Sequence, residues 1–406
     1  MRLPLTGILI MVILTLIIDG YIYYDVRSMS GKPKRKRNGW LYIASCVPCW
    51  ALLVVAFSLP LRDEGRDVIP VMWLLFTYLT IIAAKTVYVL CSLIGRLCNI
   101  GSRRLSNYGA MIGVPLGLLV CGTMWYGVMF TRHNIDVKSI DIASEKLPAS
   151  FNGYRIVQFS DLHTGTWGSD TAFVSKLVDS INALQPDVIM FTGDIVNRKT
   201  CELEPFRKVL KRLKAKDGVY SVLGNHDYGD YVDWSSLAGK AANLQQLKDR
   251  QEEMGWKMLN NSHKFIKRGN DSIAVIGVEN WGEPPFGQYG DLVKAYRGKG
   301  VGLKDGNFKI LMTHNPEHWN QVVKKNSNID LSLSGHTHAM QIEADMFGQR
   351  FSPAAWRYRY WGGLYEDTGA DGTPSRLYVN IGAGEVGMPM RMGAVPELTV
   401  ITLRKK

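Results

Sequence analysis

Seven side chains of metal-binding type follow apolar runs in the later part of the chain. They are two aspartates, one asparagine and four histidines: Asp161, His163, Asp194, Asn225, His314, His336 and His338. Each offers nitrogen or oxygen and none offers a thiolate, which suits Mn, Fe or Zn in an open catalytic site. Seven donors exceed one tetrahedral site, but they match two ions with four protein ligands each if one carboxylate is shared. The pattern therefore predicts two divalent metal ions.

Two neighbouring ions favour one kind of chemistry. Ions about 3.5–4 Å apart can hold both the attacking and the leaving oxygen of a phosphoryl displacement. A bound metal also lowers the pKa of water to about 7, so that a metal-activated hydroxide can act as the nucleophile. No serine or cysteine nucleophile is then required. The donor set predicts a phosphoric ester hydrolase.

The seven donors stand at the ends of predicted strands. These apolar runs cover residues 155–160, 188–191, 219–223, 308–312 and 331–333. Between the first two runs, Phe173, Leu177, Val178 and Ile181 recur at helical spacing, so strands and helices alternate as in an α/β domain. Open α/β sheets bind ligands beyond the carboxyl ends of their strands, which would bring these dispersed side chains together. Gly193, Gly224 and Gly335, beside the donors, could let the backbone approach the ions closely.

The first third of the chain is apolar. Four stretches, at about 5–24, 40–60, 68–95 and 109–130, each reach the roughly 20 residues that a membrane-spanning helix needs. A signal peptide is the alternative for the first stretch, but no small-residue cleavage site follows it. We therefore expect a transmembrane region over 1–132, a connector over 133–149 and a second domain over 150–406.

Basic loops indicate the orientation of the four spans. The first loop, 27–37, and the third, 96–104, are rich in Lys and Arg, and the second, 62–67, has mixed charge. Because basic loops stay in the cytoplasm, both termini are expected outside. The chain is thus predicted to be a multi-pass protein of the cell (inner) membrane, with its second domain on the extracytoplasmic side, the periplasm in a Gram-negative cell.

Polar residues within the apolar third have two interpretations. Asp19 and Lys85 lie towards span ends, so snorkelling to the interface is favoured over a pair between them. Cys46 and Cys49 have CxxC spacing without a second pair, which favours a structural over a metal or redox role. Cys201 is the only cysteine after residue 132, so the second domain cannot contain an internal disulfide.

The ordered motifs resemble a known family. The series Asp161-x-His163, Gly193-Asp194, Gly224-Asn225-His226-Asp227, His314 and Gly335-His336-x-His338 matches that of the calcineurin-like metallophosphoesterases. The tail over 378–398 resembles the membrane-associated bacterial branch related to the YkuE and YaeI phosphodiesterases. The resemblance covers about 150 to the C-terminus and implies a four-layer αββα sandwich, here preceded by four transmembrane helices.

The resemblance also implies residue roles. One ion would be held by Asp161, His163, Asp194 and His338, and the other by Asp194, Asn225, His314 and His336, with Asp194 bridging. His226 would be the catalytic histidine, which protonates the leaving group or stabilises the transition state. Arg391, in the glycine-rich tail, has two open interpretations, which are contact with the substrate phosphate and a structural salt bridge.

These observations support several functions. The leading hypothesis is a membrane-anchored, binuclear-metal phosphoesterase that hydrolyses a phosphomonoester or phosphodiester, with lipid-linked esters among the candidates. The alternative is a membrane signalling or scaffold protein that uses the same fold to bind ligand, and a transporter is disfavoured because the spans contain few polar residues. The expected partners are a phosphoester and the bilayer, with no nucleic acid, and no oligomeric state is indicated.

Residues 356–361, Trp-Arg-Tyr-Arg-Tyr-Trp, form a basic and aromatic run. Three interpretations stay open for it: a membrane-interface patch, a nucleic-acid stacking strip and a half-buried strand. The net charge of +12 suits an anionic partner, although much of the basic charge lies in loops between apolar segments.

Overall fold

A computed structural model describes residues 5–59, 68–98, 107–284, 287–297, 303–304 and 306–406. The chain forms two compact units. We call them the helical unit, whose last helix ends at Met129, and the sheet unit, which begins at Phe130. Each is described by itself.

The helical unit contains four long helices, α1 (Leu5–Met29), α2 (Arg35–Ser58), α3 (Val68–Cys98) and α4 (Tyr108–Met129). All four are long and apolar enough to cross a membrane, which confirms the four predicted spans. Helix α2 begins earlier than predicted, so that basic residues of the first loop form its first turn. The second predicted loop, 62–67, and Arg103 and Arg104 of the third lie outside the described residues.

Asp19 and Lys85 form an ion pair, so the favoured interpretation, snorkelling to the interface, is wrong. Lys85 Nζ donates to Oδ1 of Asp19 at 2.7 Å. The hydroxyl of Tyr42 donates to the same oxygen at 2.8 Å, and Trp50 Nε1 donates to Oδ2 at 3.1 Å. The two residues pair because α1, α2 and α3 place these groups within hydrogen-bonding reach. Within a membrane an unpaired charge is costly, which favours the pair.

A second buried carboxylate in the helical unit was missed, because the first span was predicted to end one residue before it. Asp25 accepts hydrogen bonds from the Tyr88 hydroxyl at 2.7 Å and the Ser92 hydroxyl at 2.8 Å. Arg96 Nε donates to the other oxygen of Asp25 at 2.9 Å. The cysteines are all free, and Cys46 and Cys49 are buried within α2.

The sheet unit contains two six-stranded sheets. The first has the order β1-β14-β2-β3-β4-β5, with these bounds: β1 Asp136–Ser144, β2 Arg155–Phe159, β3 Val188–Phe191, β4 Val219–Ser221, β5 Trp256–Met258 and β14 Glu397–Lys405. Strands β2 to β5 run parallel, and β14 is antiparallel to β2.

The second sheet has the order β12-β13-β9-β8-β7-β6. Its bounds are β6 Ser262–Arg268, β7 Asp271–Gly277, β8 Lys309–Met312, β9 Leu331–Ser334, β12 Gly363–Thr368 and β13 Pro374–Val379. Strands β7, β8, β9 and β13 are parallel, and antiparallel strands close both edges. A separate hairpin joins β10 (Ala344–Met346) to β11 (Gln349–Phe351).

The helices of the sheet unit are short, apart from two. Their bounds are α5 Thr164–Trp167, α6 Ala172–Ala183, α7 Arg207–Leu210, α8 Leu237–Glu253, α9 Leu292–Arg297 and α10 Lys324–Asn326. The sequence predicted α6 but not α8, whose apolar pattern is weak. A 3₁₀ segment, Thr200–Phe206, directly precedes α7.

Three apolar clusters define the layers. The first joins the inner faces of the two sheets, with Ile156 and Val188 from one sheet and Ile310 and Leu331 from the other. The second packs α6, α7 and α8 on the outer face of the first sheet. The third packs α9 and the segment around Trp319 on the outer face of the second sheet. This is the αββα order that the family resemblance implies.

The predicted connector over 133–149 contains a strand, which the sequence did not reveal. Strand β1 pairs in parallel with β14 over its whole length, from Asp136 opposite Glu397 to Ser144 opposite Lys405. The alternation of apolar and polar residues is weak in this segment because β1 is an edge strand that buries few side chains. Its partner comes from the far end of the chain, where no local pattern can indicate the pairing.

Candidate metal centre

All seven predicted donors lie together at the carboxyl ends of five strands. The donors lie within four residues of the strand ends, as follows: Asp161 and His163 after β2, Asp194 after β3, Asn225 after β4, His314 after β8, and His336 and His338 after β9. The strands come from both sheets. His314, after β8, contacts Asp194 and Asn225, after β3 and β4, so the carboxyl ends of the strands of both sheets meet at one edge of the sandwich.

Asp161, His163 and His338 form one group within this site. Nε2 of His163 lies 3.0 Å from Nε2 of His338, which lies 3.3 Å from Oδ1 of Asp161. All three side chains are buried, and their ligand atoms are close enough together for a single ion. The predicted set for the first ion is thus brought together, with Asp194 Oδ2 3.7 Å from Nε2 of His163.

The second predicted group surrounds His314. Its Nε2 lies 3.1 Å from Oδ2 of Asp194, 3.2 Å from Oδ1 of Asn225 and 3.3 Å from Nδ1 of His336. Asp194 therefore stands between the two groups, with Oδ2 3.7 Å from Nε2 of His163 and 3.1 Å from Nε2 of His314.

The surroundings of His314 favour a positive charge. Its Nδ1 lies 2.8 Å from the carbonyl oxygen of Thr192. Because a carbonyl oxygen only accepts hydrogen bonds, Nδ1 must carry a proton and donate to it. Nε2 then faces the acceptor oxygens of Asp194 and Asn225, so this place favours a positive charge, which a proton on Nε2 or a bound cation supplies. Burial alone would lower the pKa of His314, but the carboxylates of Asp194 and Asp161 raise it to about 9.

Five of the seven donor residues also adopt an uncommon backbone conformation. The φ angles are positive at Asp161 (51°), His163 (44°), Asp194 (61°), His336 (78°) and His338 (52°). Such conformations cost free energy in residues other than glycine and are concentrated at functional sites. Two neighbouring positions exclude any side chain: a Cβ on Gly224 would overlap Asp194 Oδ1, and one on Gly335 would overlap Asp161 Oδ2. The backbone itself thus lies against the donors.

Asp227 holds the backbone that carries the donors, a role that was not predicted for it. Its carboxylate accepts the backbone N–H groups of Asp194 at 3.0 Å, Ile195 at 3.0 Å and Gly224 at 2.9 Å. These bonds hold the two turns that carry Asp194 and Asn225. The signal was present in the sequence, since Asp227 belongs to the same motif as Asn225.

Two tyrosines contact the donors, and neither was predicted. Tyr231 accepts a hydrogen bond from Nδ2 of Asn225 at 2.8 Å, which directs the amide oxygen towards His314. The hydroxyl of Tyr358 lies 3.5 Å from Nε2 of His336. Tyr358 belongs to the run 356–361, which contains no strand, so the half-buried strand interpretation of that run is wrong.

His226 lies beside both groups. Its backbone N–H donates to Oδ1 of Asp194 at 2.8 Å, and its Nδ1 lies 2.6 Å from the carbonyl oxygen of Asn197. The ring of Tyr231 stacks on it, with 4.1 Å between centroids. These contacts fix the ring. His226 also forms a group with His163 and Asp194 whose ligand atoms are close enough together for a single ion.

Arg391 is fully buried, and its bonds support neither of the two interpretations given above. Its guanidinium donates to the carbonyl oxygens of Gly384, Ala394 and Ile381 at 2.9, 2.8 and 3.1 Å. Nη2 also lies 3.4 Å from Nδ1 of His338. Burial lowers the pKa of Arg391 to about 10. It is therefore a positioning residue that ties the C-terminal loop to His338, rather than a group open to a substrate phosphate.

Comparison with protein families agrees with this geometry. The profile described as calcineurin-like phosphoesterase matches residues 154–340. A second profile, described as probable calcineurin-like phosphoesterase, transmembrane domain, matches residues 1–132.

Several known proteins are similar to the chain. The chain is 30% identical over 311 residues to the uncharacterized metallophosphoesterase YkuE of Bacillus subtilis (strain 168), covering 75% of this chain and 98% of that protein. It is 30% identical over 292 residues to the transmembrane protein with metallophosphoesterase domain of Danio rerio, covering 69% of this chain and 60% of that protein. The crystal structure of the phosphopantetheinyl hydrolase from Mycobacterium tuberculosis covers 50% of this chain and 89% of its own at 14% identity, and its TM-score of 0.28 is too low to carry an argument.

The donor geometry, the layered fold and these matches lead to one conclusion: the chain belongs to the calcineurin-like phosphoesterase family, with four membrane helices preceding the phosphoesterase domain.

Proposed function

We propose that this protein is a membrane-anchored phosphoesterase that hydrolyses a phosphomonoester or phosphodiester at a centre of two divalent ions. One observation carries the proposal. Seven nitrogen and oxygen donors from five strand ends converge on one buried place, with Nε2 of His314 3.1 Å from Oδ2 of Asp194 and 3.2 Å from Oδ1 of Asn225. Such a set is stabilised by cations, and the family uses divalent metals.

The proposed ligand sets follow the two groups of donors. Asp161, His163, Asp194 and His338 would hold one ion, and Asp194, Asn225, His314 and His336 the other. When bound, such ions supply Lewis acidity to a phosphoryl group and lower the pKa of water to about 7. Their identity, among Mn, Fe and Zn, is not set by the donor types alone.

The chain's own residues position the ligands and handle a proton. Asp227 fixes the turns of Asp194 and Asn225, and Tyr231 orients the Asn225 amide. His226 has its Nδ1 bound to the carbonyl of Asn197, so its Nε2 can deliver a proton to the leaving oxygen or stabilise charge there.

The central test removes the shared carboxylate. Asp194→Asn is expected to lower the content of bound metal and to reduce turnover of bis-p-nitrophenyl phosphate and p-nitrophenyl phosphate by orders of magnitude, because both ions lose a ligand. Metal content is measured by mass spectrometry and folding by thermal unfolding. The matched control is Asp179→Asn, which removes an exposed carboxylate paired with Arg212 and should retain full activity. Two bound metals with undiminished turnover in Asp194→Asn would refute the proposal.

The same assay separates the enzyme from the alternative function. A chain that binds both metals but turns over no phosphoester with any divalent ion would support a signalling or scaffold protein. The complete donor set favours the enzyme, because ligand binding alone does not require an activated water.

We also propose that the substrate is membrane-associated and that the sheet unit lies on the extracytoplasmic side. Helix α4 ends at Met129 and β1 begins at Asp136. The six residues between them span at most about 20 Å, so the sheet unit cannot move far from the bilayer. The test compares kcat/KM for lipid-linked phosphoesters with that for their soluble headgroup analogues, using the full chain in nanodiscs. A preference for the soluble analogues would contradict the substrate proposal and leave the hydrolase proposal intact.

A further inference from the structure

The turn of the β10–β11 hairpin has a residue that its conformation disfavours. The two turn residues, Phe347 and Gly348, have φ angles of 57° and 75°. A two-residue turn with both φ angles positive favours Asn-Gly or Asp-Gly, and a bulky side chain there is costly. The Phe347 side chain also gains no burial, since its relative exposure is 106%. Folding of the sheet unit therefore gives no reason for a phenylalanine at this position.

Other exposed apolar side chains lie close to Phe347 in the chain. Met346 is 50% exposed and Phe351 is 46% exposed. The register pairs Ala344 with Phe351 and Met346 with Gln349, which places Met346 and Phe351 on the same face of the hairpin. The 3₁₀ segment after β11 ends at Trp356, which is 91% exposed. We call Met346, Phe347, Phe351 and Trp356 the apolar crest.

Basic residues accompany the crest. Arg357 and Arg359 follow Trp356 and are both exposed. Exposed aromatic side chains with neighbouring arginines are typical of surfaces that meet the headgroup layer of a membrane, where the rings enter the interface and the cations meet phosphate.

The hairpin is attached to the loop that also receives the chain from α4. Glu343 N–H donates to the carbonyl of Met392 at 2.7 Å, and Met392 N–H donates to that of Gln341 at 2.8 Å. Glu385 belongs to the same loop, and its Oε2 lies 2.9 Å from Nη2 of Arg132. Arg132 comes three residues after the end of α4. The hairpin thus leaves the sheet unit near the point at which the membrane-tethered chain enters it.

The hairpin is also continuous with the metal centre. The segment His338–Gln341, which begins at a predicted ligand, leads directly into β10. Ser352, after β11, donates to the carbonyl of Ala339 at 2.6 Å, and Tyr358 reaches towards His336. A surface that held the crest would therefore lie close to the segment that carries His336 and His338.

We propose that the apolar crest is a membrane-docking surface, whose side chains enter the interfacial layer of a bilayer that contains anionic phospholipid. This inference deepens the proposed function, because docking would present the metal centre to phosphoesters in the headgroup layer. Docking itself does not depend on catalysis.

The test uses the full chain in nanodiscs of phosphatidylcholine and phosphatidylglycerol. A photoreactive benzoylphenylalanine replaces Phe347 in one variant and Trp356 in another, since both replacements keep an aromatic ring. The control carries it at Ala370, an exposed residue in the turn between β12 and β13. After illumination, intact-mass measurement should show phospholipid adducts at positions 347 and 356 that exceed those at 370 by at least about tenfold, given the preference of exposed aromatic side chains for the interface.

Two results would overturn the proposal. One is lipid adducts at 347 and 356 that do not exceed those at 370. The other is protein–protein adducts at the crest in place of lipid adducts, which would make it a contact between copies of the chain. Adducts are scored by mass and not by turnover, so failure of docking and failure of the proposed hydrolase are distinguished.

Discussion

Single residues of the metal centre combine several contacts, which makes their substitution informative. Asp194 receives the His226 backbone N–H on Oδ1, faces His314 with Oδ2 and has its own N–H held by Asp227. Its positive φ adds a cost that these bonds must offset. His318 is not one of the seven metal donors, so its substitution can change the stability of the fold without removing a ligand.

At His226 we expect a loss of rate without a loss of metal. His226→Ala removes a ring that is fixed by Asn197 and Tyr231, while all seven donors remain. A general acid contributes about 10²–10⁴-fold, so turnover should fall by that amount. The loss should be smaller for nitrophenyl esters, whose leaving group needs little protonation, than for alkyl esters. Equal losses for both would indicate stabilisation of transition-state charge, and loss of metal would contradict the assignment.

His318 should make the folded state sensitive to acid. It is buried, stacks on Trp281 and lies with Nδ1 3.0 Å from the Thr313 hydroxyl. Burial lowers its pKa in the folded protein from 6.5 to about 4. As pH falls, His318 therefore binds a proton in the unfolded chain before it does so in the folded protein. The free energy of unfolding then decreases between pH 6.5 and 4, by up to about 3 kcal/mol.

The measurement is thermal unfolding of the full chain in detergent and chelator, so that loss of metal does not contribute. His318→Asn keeps a hydrogen-bonding group but cannot titrate in this range. Its Tm should decline less steeply than that of the unchanged protein between pH 6.5 and 4. Parallel pH profiles for the two proteins would contradict the prediction.

At the scale of elements, the two units are held by different forces. The sheets of the second unit share an apolar core, and the helices on their outer faces bury their own clusters. In the helical unit, α1, α2 and α3 are joined by polar contacts around Asp19 and Asp25. Within a membrane, an apolar side chain gains little free energy by moving from lipid to a protein contact. Polar contacts therefore contribute more to helix association there than apolar contacts do.

Asp19→Asn should destabilise the helical unit, because it leaves the charge of Lys85 without a counter-charge. Removing one member of a buried pair costs about 3–5 kcal/mol, whereas replacing both members is often close to neutral. We therefore expect a large fall in Tm for Asp19→Asn and for Lys85→Met, and recovery of most of it in the double variant. Thermal unfolding in detergent completes this double-mutant cycle. Additive losses would indicate that the two groups act independently, as snorkelling side chains would.

At the scale of the whole molecule, the proposed orientation depends on the distribution of basic loops. The first loop carries six Lys or Arg residues between 27 and 37. A β-lactamase fused after Lys406 should therefore confer resistance, while green fluorescent protein at that position should stay dark. The same reporters inserted at Gly31, between α1 and α2, should give the opposite pattern. A fluorescent fusion at Lys406 would reverse the orientation.

The sequence by itself determined the four spans, the α/β class and the seven donors, because each of these depends on a local property. Twenty apolar residues suffice for a span, and the alternation of strands with helices can be recognised from short segments. Donor type limits the chemistry before any distance is known. The order of Asp161, Asp194, Asn225, His314 and His336 at strand ends then predicted that these side chains lie together, as they do in the structure.

Only the tertiary structure decided which distant groups meet. The pairing of β1 with β14, the ion pair of Asp19 with Lys85 and the support of Asn225 by Tyr231 all depend on contacts across the fold. Burial of Arg391 could not be inferred either, since a basic residue in a glycine-rich loop gives no local sign of the carbonyl groups that surround it. Such features follow from the closure of the chain on itself, whereas a sequence pattern reports only what each segment does with its neighbours.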